Sequence, residues 1–114
     1  MAREIKRGEI YWVNWNPGRG SEQSGLRPAL VIQNDTGNKY SPTTIVAALT
    51  TAMVKPYPFT VKVTAKESGL PKDSTVNLAV IMTIDKTRLT DKCGELNETR
   101  MKEVDGAIRA SLGM

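Results

Sequence analysis

The chain contains no histidine and only one cysteine, Cys93. The first absence removes the side chain most often used as a general base or metal ligand near neutral pH, and with it every Ser-His-Asp triad. The second excludes an internal disulfide, fits a reducing compartment, and leaves too few thiolates and imidazoles for a zinc site. No D-x-D pair suggests magnesium, since Asp35, Asp73, Asp85, Asp91 and Asp105 lie far apart. No glycine-rich loop ends in Gly-Lys-Ser/Thr. No stretch nears the ~18 apolar residues of a membrane span, and the N-terminus MAREIKRGEI lacks the apolar core of a signal peptide. These absences predict a soluble, cytoplasmic protein with no metal and no cofactor. If it is an enzyme, it works without the usual tools.

What is present fits one domain spanning residues 1–114, long enough to bury a core without cross-links. Sixteen Lys and Arg against twelve Asp and Glu give a net charge of +4. That balance favours a polyanionic partner, although many small proteins are basic for no special reason. Glu9–Trp15 (EIYWVNW) alternates and is aromatic-rich, which predicts a first strand ended by Asn16-Pro17-Gly18. Further strands are predicted over Pro28–Gln33, Thr44–Thr50, Phe59–Val63 and from Thr75 through TVNLAVIMTI, the last with a bulge. NDTGNKYSP, KPYP and ESGLPKDS read as connections. The period then changes. Asn97 is a good N-cap, Met101, Val104, Ile108 and Leu112 recur at helical spacing, and Gly113 suits the C-cap. The prediction is a mainly β (α+β) fold, a small, strongly bent sheet or barrel with a C-terminal amphipathic helix.

One segment resists that reading. Asn14 to Arg27 is too long for a hairpin turn, and loops of this length are usually functional or disordered. It carries Arg19, Ser21, Glu22, Gln23 and Arg27 among its glycines, then runs into the apolar strand Pro28-Ala-Leu-Val-Ile. GSEQSGLRPALVIQND resembles the signature of the MazF/PemK-type toxins, endoribonucleases of toxin–antitoxin pairs. SPTTIVAALTT (Ser41–Thr51), KPYPFTV and TIDKTRL (Thr83–Leu89) resemble further family segments, in order and with family spacing. The resemblance implies an SH3-like barrel of about five to seven strands, a homodimer, metal-independent cleavage of single-stranded RNA such as mRNA, and inhibition by an acidic antitoxin. It places the family's catalytic arginine on Arg27 and its threonine on Thr50. Where relatives often carry a polar Glu-Gln-x-Arg stretch before TIDK, this chain has Ala79, Val80, Ile81 and Met82, so RNA sequence preference does not transfer.

The chemistry is coherent without a metal. The ribose 2′-OH is an internal nucleophile, so the protein needs to align the chain and stabilise charge growing on the phosphoryl oxygens. A guanidinium is planar, always charged and matches phosphate geometry, which suits Arg27, and a hydroxyl at Thr50 adds a donor. Arg27 is a poor base at neutral pH, which leaves Glu22 as the nearest candidate to accept the 2′-OH proton or position that group. Ser21, Gln23, Arg19 and Tyr57 are candidate RNA contacts, Tyr57 by stacking. Each has a plainer alternative: Arg27 binding loop carbonyls, Thr50 as an ordinary strand residue, Tyr57 packing a turn, Ser21 and Gln23 satisfying loop backbone. Trp12 and Trp15 fit core or rim packing, and Lys86, Arg88 and Lys92 a solvated face. Two other functions remain open at this point, a non-catalytic nucleic-acid-binding module and a gyrase-poisoning toxin of the same fold. The second is disfavoured, because it resembles proteins with a tryptophan-bearing C-terminal tail and this chain ends Leu112-Gly113-Met114.

Overall fold

A computed structural model describes residues 4–15, 25–51 and 55–114. Six strands form one antiparallel sheet: β1 (Glu9–Asn14), β2 (Leu26–Val31), β3 (Thr43–Thr50), β4 (Thr60–Val63), β5 (Ser74–Asp85) and β6 (Leu89–Glu95), in the order β4-β5-β3-β2-β1-β6. The helices are α1 (Asp35–Tyr40), α2 (Ala65–Ser68) and α3 (Glu98–Leu112). The mainly β fold with a terminal helix is the one expected, and α3 has the predicted bounds. Asn97 accepts a hydrogen bond from the Arg100 backbone N–H, and Gly113 takes the left-handed conformation at the C-cap.

Strand alternation sorts the apolar residues into two cores. Ile10, Leu30, Ala47, Leu49, Val61, Val76 and Leu78 face Val104 and Ala107 of α3. Tyr11, Val13, Trp15, Ala29, Val31, Val46, Ile84 and Leu89 fill the other face. Trp12 packs on the first core and Trp15 lies in the second, so both tryptophans have the packing roles expected. The predicted bulge in β5 is real. Ala47 pairs with Ile81 but the next residue, Ala48, pairs with Asn77, so Leu78–Val80 are extra and β5 bends there.

Several expectations need correction. β2 begins at Leu26, which makes Pro28 its third residue and not its first. The proline is tolerated because pairing with β3 starts only at Ala29. The loop is correspondingly shorter, closed by a hydrogen bond from the Trp15 N–H to the Gly25 carbonyl (2.9 Å). α1 replaces the predicted turn-rich connection: Asn34 caps it, and the buried Asn38 side chain bonds the Gln33 carbonyl, the Gln33 amide and the Thr44 hydroxyl. α2 forms where a loop was expected, held by a capping box between Thr64 and Glu67. β6 was not anticipated.

The basic run on β6 and its approach is not simply a solvated face. Lys86 Nζ donates to the Asn38 carbonyl, Arg88 to the Asn14 carbonyl (3.1 Å), and Lys92 pairs with the buried Glu9 (2.8 Å). Two arginines tie the helices down. Arg100 of α3 makes a two-pronged contact with Glu67 of α2 (2.9 and 3.1 Å). Arg7 donates to the Ile32 carbonyl (2.8 Å) and to Asp105 of α3 (2.7 Å).

Candidate active site

Arg27 is the second residue of β2 and is exposed. Across β1 it is level with Val13. On its other side β2 pairs with β3 through Ala29↔Ala48, Leu30↔Ala47 and Val31↔Val46. Carried two residues further, that register sets Arg27 level with Thr50, the half-buried last residue of β3. Neighbouring strands lie about 4.8 Å apart, and directly opposed residues point to the same face. The two residues that the resemblance singled out, separated by 23 positions, therefore share one patch. Arg27 is exposed and forms no ion pair with another described residue.

The patch continues outward. Thr50 pairs with Thr75 of β5, which pairs with Lys62 of β4. In the adjoining row, Ala29, Ala48, Asn77 and Thr60 stand level. Across β2, β3 and β5 this face is thus divided: apolar towards Val31, Val46 and Ile84, and small or polar towards Arg27 and Thr50, while β1 keeps the apolar Val13 level with Arg27. Thr75, Asn77 and Lys62 extend this patch and were not singled out in the sequence. Their signal was in the sequence, since TVN and TVK place a polar side chain at every second position, but the pairing of the strands was not.

The remaining predicted residues are distributed as follows. Arg19, Ser21, Glu22 and Gln23 lie outside the described residues, as does the Asn16-Pro17-Gly18 turn. Tyr57 is 46% exposed, with its ring stacked on Phe59 at 5.0 Å and 4°, so one ring face already packs a neighbour. Trp15, at the foot of the loop, is 8% exposed, and its indole N–H has no acceptor among the described residues. Burial, reinforced by the Asp91 charge, pushes the Cys93 thiol pKa above the ordinary value, which disfavours the reactive thiolate.

Residues 6–112 match the family model described as PemK-like, MazF-like toxin of type II toxin-antitoxin system, and the chain belongs to that family. It is 50% identical over 111 residues to the Endoribonuclease MazF of Staphylococcus epidermidis, covering 96% of this chain and 92% of the relative. It is 49% identical over 111 residues to Endoribonuclease EndoA of Bacillus subtilis (strain 168), covering 96% of each. Among solved structures, the MazE-MazF crystal structure from Deinococcus radiodurans superposes with a TM-score of 0.78 at 26% identity, over 98% of this chain and 99% of that one. Among the described residues, no helix is long and apolar enough to cross a membrane.

Proposed function

We propose that this chain is a metal-independent endoribonuclease toxin of the cytoplasm, cutting single-stranded RNA and silenced by an acidic antitoxin. The observation that carries the reading is the β2–β3 register, whose continuation sets an exposed Arg27, with no ion pair among the described residues, level with Thr50 at the end of β3. The relatives named endoribonucleases and the MazE-MazF structure support the activity and the partner. In the reaction, the 2′-oxygen attacks the adjacent phosphorus and the bond to the 5′-oxygen breaks. The 2′-OH proton leaves to a base, and a proton is delivered to the departing 5′-oxygen. Arg27 and Thr50 donate to the phosphoryl oxygens as charge builds on them. Glu22 accepts the 2′-OH proton or positions that hydroxyl, while Arg19, Ser21, Gln23 and Tyr57 contact the flanking RNA. The toxin acts as a homodimer.

The test is incubation of the pure protein with a long single-stranded RNA in excess EDTA. Cleavage to 2′,3′-cyclic phosphate (or the 3′-phosphate it hydrolyses to) and 5′-hydroxyl ends is expected. A substrate with 2′-deoxyribose at the cut position should bind and stay intact. Ends bearing 5′-phosphate, or complete loss of activity in EDTA, would sink the 2′-OH mechanism.

A further inference from the structure

The polar half of the sheet reaches well beyond Arg27 and Thr50, and its far end is a cation. Lys62 stands on β4, level with Thr75 and hence with Thr50 and Arg27. Val61 and Val63 on either side of it are buried in the α3-covered core, so alternation fixes Lys62 on the opposite, exposed face. It forms no ion pair with another described residue. Three strand spacings separate it from Arg27, about 14 Å at ~4.8 Å each. Between the two cations lie Thr50, Thr75 and Asn77. The Asn77 side-chain oxygen, Oδ1, accepts the Ala79 backbone N–H (3.0 Å), which leaves its amide N–H groups as what that side chain can offer a ligand. No carboxylate occupies either row. Among the described residues this line has a cation at each end, no carboxylate, and hydroxyl and amide groups between, of which Thr75 is buried; that arrangement suits a chain of phosphates.

We propose that Lys62 binds a second phosphate of the RNA, a few nucleotides from the one at Arg27, and that the RNA crosses β2, β3, β5 and β4 instead of lying along one strand. This rests on the endoribonuclease reading above. Lys62 is a positioning residue: it holds the substrate in line through a remote phosphate and takes no part in bond making. β4 is an end strand of this chain's sheet and Lys62 lies to one side of Arg27, so within one protomer the contact exists on one side of the cut only.

The cut site is first mapped on a long RNA. Two oligonucleotides are then made, a long one extending on both sides of the cut and a short one trimmed near it on the Lys62 side. For Lys62→Gln, KM for the long oligonucleotide should rise roughly three- to tenfold with kcat unchanged, and its log-log salt slope should fall by about 0.7, the loss of one single-strand phosphate contact. The short oligonucleotide should not distinguish variant from wild type, and Lys62→Arg should restore the long-substrate KM. Equal KM and salt slope on the long RNA, or the same loss on the short one, would overturn the proposal. So would a variant that weakens binding of an acidic peptide but not of RNA. If the wild type cuts neither RNA, the activity reading falls, and binding of the long oligonucleotide decides on Lys62: weaker binding by Lys62→Gln upholds the contact, and equal binding removes it.

Discussion

The two faces of the sheet are built on opposite plans. Under α3, apolar side chains from β1 to β5 interlock with Val104 and Ala107, and Arg100–Glu67 and Arg7–Asp105 clamp the cover. At the Arg27 end of the other face, β2, β3, β5 and β4 carry small or polar side chains, and the chief cations, Arg27 and Lys62, hold no carboxylate among the described residues. One face contributes stability through buried area and satisfied charge. The other leaves charge unsatisfied, which adds nothing to folding and makes it available to a ligand. Substitutions should therefore separate cleanly into those that cost activity and those that cost stability.

The largest effect should fall on activity alone. Arg27→Lys keeps the charge but loses the two-pronged contact, and losing one such donor to a transition state costs on the order of 2.7–4 kcal/mol, or 10²–10³ in kcat. Thermal unfolding should be nearly unchanged, because the side chain is exposed. Near-wild-type turnover in a folded Arg27→Lys protein would erase the contrast between the faces.

Gly69→Ala should do the reverse. A Cβ there would lie 1.9 Å from the Cys93 carbonyl oxygen, at a φ of +77°. The end of α2 and β6 touch backbone to backbone, so neither side can yield cheaply. A loss of about 2–3 kcal/mol is expected, read as a lower denaturant midpoint with turnover per folded molecule retained. Gly106→Ala, on α3, sharpens the comparison from the other direction. Nothing lies within 4 Å of a Cβ at Gly106, so the helix should gain about 1 kcal/mol. A destabilised Gly106→Ala would mean that this exposed side of α3 is itself packed in solution.

The smallest effect concerns acid. The hydrogen bond from Arg100, more than the opposing burial, holds the Glu67 carboxyl below the ordinary range. A lowered folded pKa contributes stability above the unfolded value of about 4.3, which is lost as pH falls through the folded value. The stability gap between wild type and Arg100→Met should then be constant from pH 8 to about 5 and narrow below about 4. Its size should be ~1 kcal/mol or less for so partly exposed a pair. A gap that widened in acid would remove this ion pair as its cause.

Much of the scaffold was legible in the sequence. α3 announced itself through a cap at each end and a helical apolar period, and the apolar strands through alternation. α1 was hidden because Asp-Thr-Gly-Asn-Lys-Tyr has low helix propensity and no apolar stripe; the buried Asn38 network makes it a helix, and that is a tertiary effect. β6 was hidden because Leu-Thr-Asp-Lys-Cys-Gly-Glu buries only Leu89, as befits a charged end strand. The pairing of Arg27 with Thr50 was not visible as geometry at all. It came from resemblance, and the β2–β3 register, carried two residues on, is what sets these two distant positions level. Lys62 shows the converse, a visible alternation whose meaning depends on which strand lies next door.

The core beneath α3 also sets an order in time. Ile10 of the first strand is buried against the same cluster as Val104 and Ala107, and Arg7 grips Asp105 across 98 positions of chain. A nascent chain that has not yet released α3 from the ribosome holds Ile10, Leu30 and Val61 on an uncovered sheet, and such long-range contacts close late. The platform beneath Arg27 and Thr50 is then complete only once α3 has emerged and docked. A chain with a proposed power to destroy messages is thus assembled into working form only after the whole of β1 to α3 has been made.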